Sequence, residues 1–276
     1  MPVEPTKPLP IYDDNRVDFS SCKYLEWLAP IRKGQRCGVI APPKTGKTRL
    51  LQEIAQGVQA LNPQVEVFAL LVDQSPETIG QFSRFIPQDN LLYTTYDDDA
   101  DRQVFVAEFL LNRLKRMAEM GRDVVVIVDS FNGISKAFND TENSLGGKTL
   151  PCGLESKTLQ YIKKYISSAG CIEGKGTITM IGSVMTETGN PFDDIIAAEI
   201  APIVNYEIRL SDKMAYKRVY PALDKTKICV ERRDCSMAEE NRAMLAEQYI
   251  ARFDAEKLLQ AVVDSKTIDE FENRIK

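Results

Sequence analysis

Residues 41–48 read Ala-Pro-Pro-Lys-Thr-Gly-Lys-Thr, the residue types from which a phosphate cradle is built. Backbone N–H groups of such a loop, together with a following helix N-terminus, converge on phosphate oxygens. Lys47 is spaced to reach the β- and γ-phosphates, and the Thr48 hydroxyl to hold Mg²⁺. Ala41 stands where the usual pattern has its first glycine. A second group of the same chemistry follows: Asp129 closes the apolar run 124–128. A carboxylate at the C-terminal end of a buried strand is the expected second partner of that Mg²⁺.

These groups need elements to hold them. Cys37, Val39 and Ile40 precede the loop as a strand-like run, and Leu50, Leu51, Ile54, Ala55, Val58 and Leu61 follow at helical spacing. Strand, tight loop, helix is the context a phosphate loop requires. Apolar runs at 65–72, 91–95, 124–128 and 178–184 read as buried parallel strands. Helical stretches lie between them, clearest at 101–120 and 155–168. Strands alternating with helices imply an α/β fold, a parallel sheet covered on both faces. Residues 205–210 and 216–222 read as two further strands, and from Met237 the chain reads as helix to its end. Residues 1–18, rich in Pro and Asp, read as a disordered or extended tail. The nucleotide-binding domain is then expected over 19–235, with a helical segment over 236–276 packed on it.

Composition narrows the chemistry. The 276 residues are 43% hydrophobic and 27% charged, enough for a sizeable core. There is no histidine, which removes histidine general bases, Ser-His-Asp triads and most catalytic zinc sites. The six cysteines include no Cys-x-x-Cys pair, so neither a disulfide scaffold nor a zinc site is expected. A formal net charge of −5 argues against tight, non-specific nucleic-acid binding by the monomer. No apolar run reaches membrane-spanning length, and the N-terminus lacks the apolar core of a signal peptide. The chain is therefore expected in the cytoplasm.

Several stretches together resemble the ATPase domain of the bacterial transcription termination factor Rho. They are residues 28–36, the loop 41–48, Asp129-Ser130 with Ala137, Phe138 and Asn139, Thr188-Gly189 with Asp193-Asp194, and residues 217–224. The resemblance implies a RecA-like P-loop core, ATP with Mg²⁺, a homo-oligomeric ring of six subunits, and translocation on RNA. It assigns Lys44, Thr45, Gly46, Lys47, Thr48 and Arg49 to the nucleotide, and Thr48 and Asp129 to the metal. Tyr220 falls where the family packs an aromatic on adenine, although a core-facing strand aromatic reads equally simply. Arg218 matches a family arginine near the nucleotide. Lys148 stands as a candidate pore-loop lysine for RNA or as a solvated loop charge.

The sequence departs from Rho where the chemistry should be. Gln74 occupies the position of the family's water-polarising Glu; an amide orients water but cannot take its proton. The arginine finger that reaches a neighbouring subunit's γ-phosphate aligns with Glu231, and a shift of one or two residues restores Arg232 or Arg233. Pro191 replaces the pore-loop lysine, and the stretch shows no counterpart of the family's N-terminal RNA-binding module. Three readings follow: a reduced RNA-dependent translocase, a nucleotide-loaded ring subunit or Rho regulator that does not hydrolyse, and another phosphoryl-transfer enzyme.

Overall fold

The computed structural model describes residues 2–3, 7–143, 153–230, 237–253 and 255–276. Its central strands are β2 (Arg36–Ala41), β3 (Glu66–Leu71), β4 (Leu91–Tyr93), β5 (Val124–Asp129), β7 (Thr177–Met185) and β8 (Tyr206–Leu210). All six run parallel, and β9 (Leu223–Val230) returns antiparallel beside β8, giving the order β4-β3-β5-β7-β2-β8-β9. The short β1 (Pro2–Val3) and β6 (Gly170–Ile172) pair with each other, and β6 with β7, all antiparallel. All six residues of β5 are buried. Such continuous apolar runs are what a strand covered on both faces needs.

Helices cover both faces. On one side lie α1 (Ser20–Leu28), α2 (Lys47–Leu61), α10 (Ala255–Asp264) and α11 (Ile268–Ile275), around Leu25, Leu51, Ile54, Leu258 and Phe271. On the other lie α4 (Ala100–Glu119), α5 (Phe131–Asn143), α6 (Ser156–Ile166) and α7 (Pro191–Ile200), around Leu110, Leu114, Ile134, Ile162 and Ile196. The mostly parallel α/β sheet expected from the sequence is therefore the observed one. Its starts are locally encoded: Asp99 caps α4 through the Arg102 N–H, and Asn190 caps α7 with Pro191 at its first position.

Two stretches differ from the sequence reading. Residues 216–222 do not form a strand. Instead α8 (Asp212–Tyr216) is followed by a turn through Pro221, and pairing begins at Leu223. Proline cannot donate to a sheet, and Val219, Tyr220 and Ala222 give the run a strand-like composition without a strand's pairing. Within 1–18, the segment about Leu9 and Ile11 is packed, both side chains fully buried. Asn62 donates to Pro10 O at 2.7 Å, and the Ile11 N–H donates to Glu26 Oε2 at 2.9 Å. Gly57 makes room: a Cβ there would lie 2.3 Å from the Ile11 carbonyl oxygen.

The last helices, α9 (Met237–Arg252), α10 and α11, close against α1. Lys23 of α1 is buried and donates to Ser265 O at 2.6 Å, at the C-terminal end of α10, where helix dipoles favour a cation. Its ammonium also lies 4.7 Å from the Trp27 ring centroid, a cation–π arrangement. Trp27 in turn packs on Phe271 with centroids 5.6 Å apart.

Candidate functional site

The parallel strands all end on one rim, and the chemically marked residues gather there. β2 lies between β7 and β8 and delivers the chain at Ala41 into a loop that ends as α2 begins at Lys47. Within the loop the buried Thr45 hydroxyl donates to Pro42 O at 2.8 Å. Gly46 has φ +91° and Lys44 has φ +63°. A non-glycine residue held in the left-handed region is uncommon and gathers at ligand-gripping loops. Lys47 is half-buried, and neither it nor Lys44 forms an ion pair with any described residue.

Asp129 ends β5, 1% exposed, and both of its oxygens are engaged. Oδ2 accepts from the Thr48 hydroxyl at 2.7 Å, and Oδ1 from the Ser183 hydroxyl of β7 at 2.5 Å. A hydroxyl beside a carboxylate is a donor set suited to a hard cation. Among the described residues no cluster of three His, Cys, Asp or Glu could hold a metal. The pair thus suits Mg²⁺, which takes one or two protein oxygens and completes its shell with phosphate and water.

Gln74 leaves β3 on the same rim. Leu71 is the register partner of Asp129, and the Val72 N–H donates to Asp129 O at 2.9 Å. Asp73 turns the chain at φ +57°. The Gln74 N–H donates to Thr94 O at 3.1 Å, and Ser75 then caps α3 (Pro76–Phe82). Gln74 lines a polar cleft with Ser130, Lys136, Asn190 and Asp193.

Tyr220 lies beside the phosphate loop. A Cβ on Gly46 would lie 3.3 Å from its ring carbon Cε1, so the half-exposed ring packs against the phosphate loop. The cleft between them is bordered by Ser21, Arg49 and Glu53. Glu53 receives Arg49 Nε at 2.8 Å on Oε1 and the Ser21 hydroxyl on Oε2. Arg218, with φ +60°, is exposed and does not line this cleft. Lys148, Glu231, Arg232 and Arg233 lie outside the described residues.

Three polar groups here were not anticipated. Ser183 is one of three hydroxyls in β7, with Thr177 and Thr179, and its type alone did not set it apart; Glu53 carried no signal either. Asn132, 3% exposed, mimics a strand: Oδ1 accepts from the Met185 N–H at 2.7 Å and Nδ2 donates to Met185 O at 3.2 Å. Nδ2 also reaches Asp193 Oδ1 at 2.7 Å, and Asp193 Oδ2 accepts from the Thr188 hydroxyl at 2.7 Å. This holds the loop after β7 beside Gln74. Asn132→Ala leaves these partners unpaired, and an unsatisfied buried group costs about 1–3 kcal/mol. A loss of that size in urea unfolding is the expected result.

A phosphate loop on an interior strand of a parallel sheet, with a carboxylate two strands away, defines a P-loop nucleotide-binding domain. Residues 21–228 match the family model described as the ATP synthase alpha/beta family, nucleotide-binding domain, and the chain belongs to that family. Within it the chain is a Rho-like ATPase domain. It is 34% identical to transcription termination factor Rho of Karelsulcia muelleri over 255 residues, covering 92% of this chain and 65% of that protein. It is 35% identical to Rho of Cereibacter sphaeroides, covering 88% and 58%, and 37% identical to Rho of Haemophilus influenzae, covering 74% and 48%. The chain thus spans roughly half to two thirds of these relatives. In fold it is similar to a prototypical ATPase from the type III secretion system of pathogenic bacteria, with a TM-score of 0.82 at 20% identity, covering 100% of this chain and 86% of that one. The assembled ATPase EscN of enteropathogenic E. coli gives a TM-score of 0.80 at 21% identity, covering 99% and 75%. No helix among the described residues is long and apolar enough to cross a membrane.

Proposed function

We propose that this protein binds Mg-ATP in a Rho-type site, hydrolyses it slowly, and assembles head to tail with copies of itself. The observation that carries the reading is the Thr48–Asp129 bond beside the phosphate loop, combined with an amide at Gln74 where a base is needed. The ATP-binding domain spans 19–235 in this reading, with 236–276 packed on it. Lys44, Lys47 and the loop N–H groups hold the phosphates, and Thr48 and Asp129 hold Mg²⁺. Held there, Mg²⁺ would supply positive charge to the triphosphate. Tyr220 and Arg49 flank the base, Gln74 orients the attacking water, and Arg232 of a neighbouring copy completes the γ-phosphate site. Lys148 makes a weak RNA contact, and the chain works in the cytoplasm.

The second reading, a ring subunit or Rho regulator that binds without hydrolysis, rests on the same Gln74. Calorimetry with Mg-ATP, then ATPase assays with and without single-stranded RNA, separate the two. Binding with slow turnover is expected; binding with none selects the regulator. Single-stranded RNA is expected to bind weakly: each phosphate contact adds about −0.7 to the slope of log affinity against log salt, so a slope shallower than about −2 is expected. Tight RNA binding with a steep slope would favour a translocating motor.

A further inference from the structure

We propose that the protein adds head to tail by seating the basic corner about α8 of one copy on the acidic corner that follows β4 of the next. This rests on the self-assembly reading above and names its surfaces.

The sheet order places the two corners apart. β4 is one edge of the seven-strand path, whereas α8 follows β8, next to the other edge. Because β4 and β8 belong to the same parallel set, both corners lie on the rim that carries the phosphate loop. They cannot meet within one molecule, but a repeated copy can bring them together.

Each corner is unfinished in a complementary way. After β4, Tyr93, Tyr96 and Phe105 are 48%, 65% and 65% exposed. Among them stand Asp97, Asp98, Asp99 and Asp101, opposed locally by Arg102, which pairs with Asp98 at 2.7 Å. At α8, Tyr216 is 92% exposed. Lys213 and Arg218 have no side-chain partner among the described residues, and Lys217 reaches Glu256 at only 3.6 Å. Clustered exposed aromatics mark surfaces that are covered in use. Opposite charge steers two such surfaces together and fixes their register. Symmetry separates the arrangements by size: an isologous contact would use both corners reciprocally and close at a dimer, whereas a heterologous contact uses each corner once and leaves one of each free for the next copy, so assembly beyond a dimer is expected.

Sedimentation velocity at several concentrations, with Mg²⁺ and a non-hydrolysable ATP analogue, tests this. The wild-type protein is expected to assemble. Asp97→Lys/Asp101→Lys and, separately, Lys213→Glu/Lys217→Glu are each expected to associate at least about tenfold more weakly. Mixed one to one, the two variants regain opposite charge at every junction and are expected to assemble again. Their melting curves and calorimetric Mg-ATP binding check that each is folded. Wild-type assembly in either variant alone, or no recovery on mixing, overturns these surfaces and leaves self-assembly standing. A wild-type monomer under every condition overturns both, while ATP binding is still read separately.

Discussion

Lys47→Ala is expected to weaken Mg-ATP binding by roughly 30-fold to several-thousand-fold. Lys47 is half-buried at the first position of α2 and has no ion-pair partner among the described residues. Among the described residues its ammonium holds nothing in place. Removing one partner of a desolvated charge pair costs about 2–5 kcal/mol, much of it from the group left behind, here the triphosphate. Because no described residue pairs with its ammonium, the melting temperature without nucleotide is expected to change little. Isothermal calorimetry reads the first effect and a thermal melt the second. An unchanged Kd would mean that the loop does not hold the triphosphate.

The second large effect is expected at Gln74, in the opposite direction. Gln74→Glu should raise ATP turnover by about 100-fold, the lower end of what a general base contributes. The substitution keeps the shape of the side chain. The backbone there is already set by the Thr94 bond and the Ser75 cap, so the change is confined to the side chain, which gives up only the 3.3 Å bond its amide donates to Val72 O. What changes is the capacity to accept a proton from water. Single-turnover kinetics measure the step directly. Wild-type turnover in the ordinary enzymatic range of about 1–10³ s⁻¹ would remove the premise. A slow wild type whose rate the Glu variant does not raise would place the block at the γ-phosphate arginine instead.

How much of this was legible in the sequence depended on how local the signal was. The phosphate loop, the strand before it and the helix after it are specified within two dozen residues, and they stand as read. Asp129 was legible because it closes a buried apolar run in a chain that already carries a phosphate loop; alone, an acidic residue there reads as readily as a helix cap. The parallel sheet followed from runs such as 124–128, whose lack of alternation only double coverage explains. The packed segment about Leu9 and Ile11 was not legible. Its partners, Gly57, Asn62 and Glu26, are distant in sequence, and proline and aspartate nearby carry the composition of a tail. The stretch 216–222 failed for a related reason. A turn held by tertiary packing of Met214 and Ala222 on Ala255 has the same short apolar spacing as a strand. Asn132 acts through the backbone of Met185, a contact that residue type alone does not encode. Ser183 was no easier to single out, because the same strand also carries the hydroxyls of Thr177 and Thr179.

Trp27 is the sole tryptophan of the chain. It lies on α1, the helix that also brings Ser21 to the cleft beside the phosphate loop, and it is sandwiched between Lys23 and Phe271 of the last helix. The tryptophan fluorescence of the protein therefore comes from a single indole at a single seam. It reports whether the first helix and the last are still joined, without any label, and on a helix that also borders the nucleotide cleft.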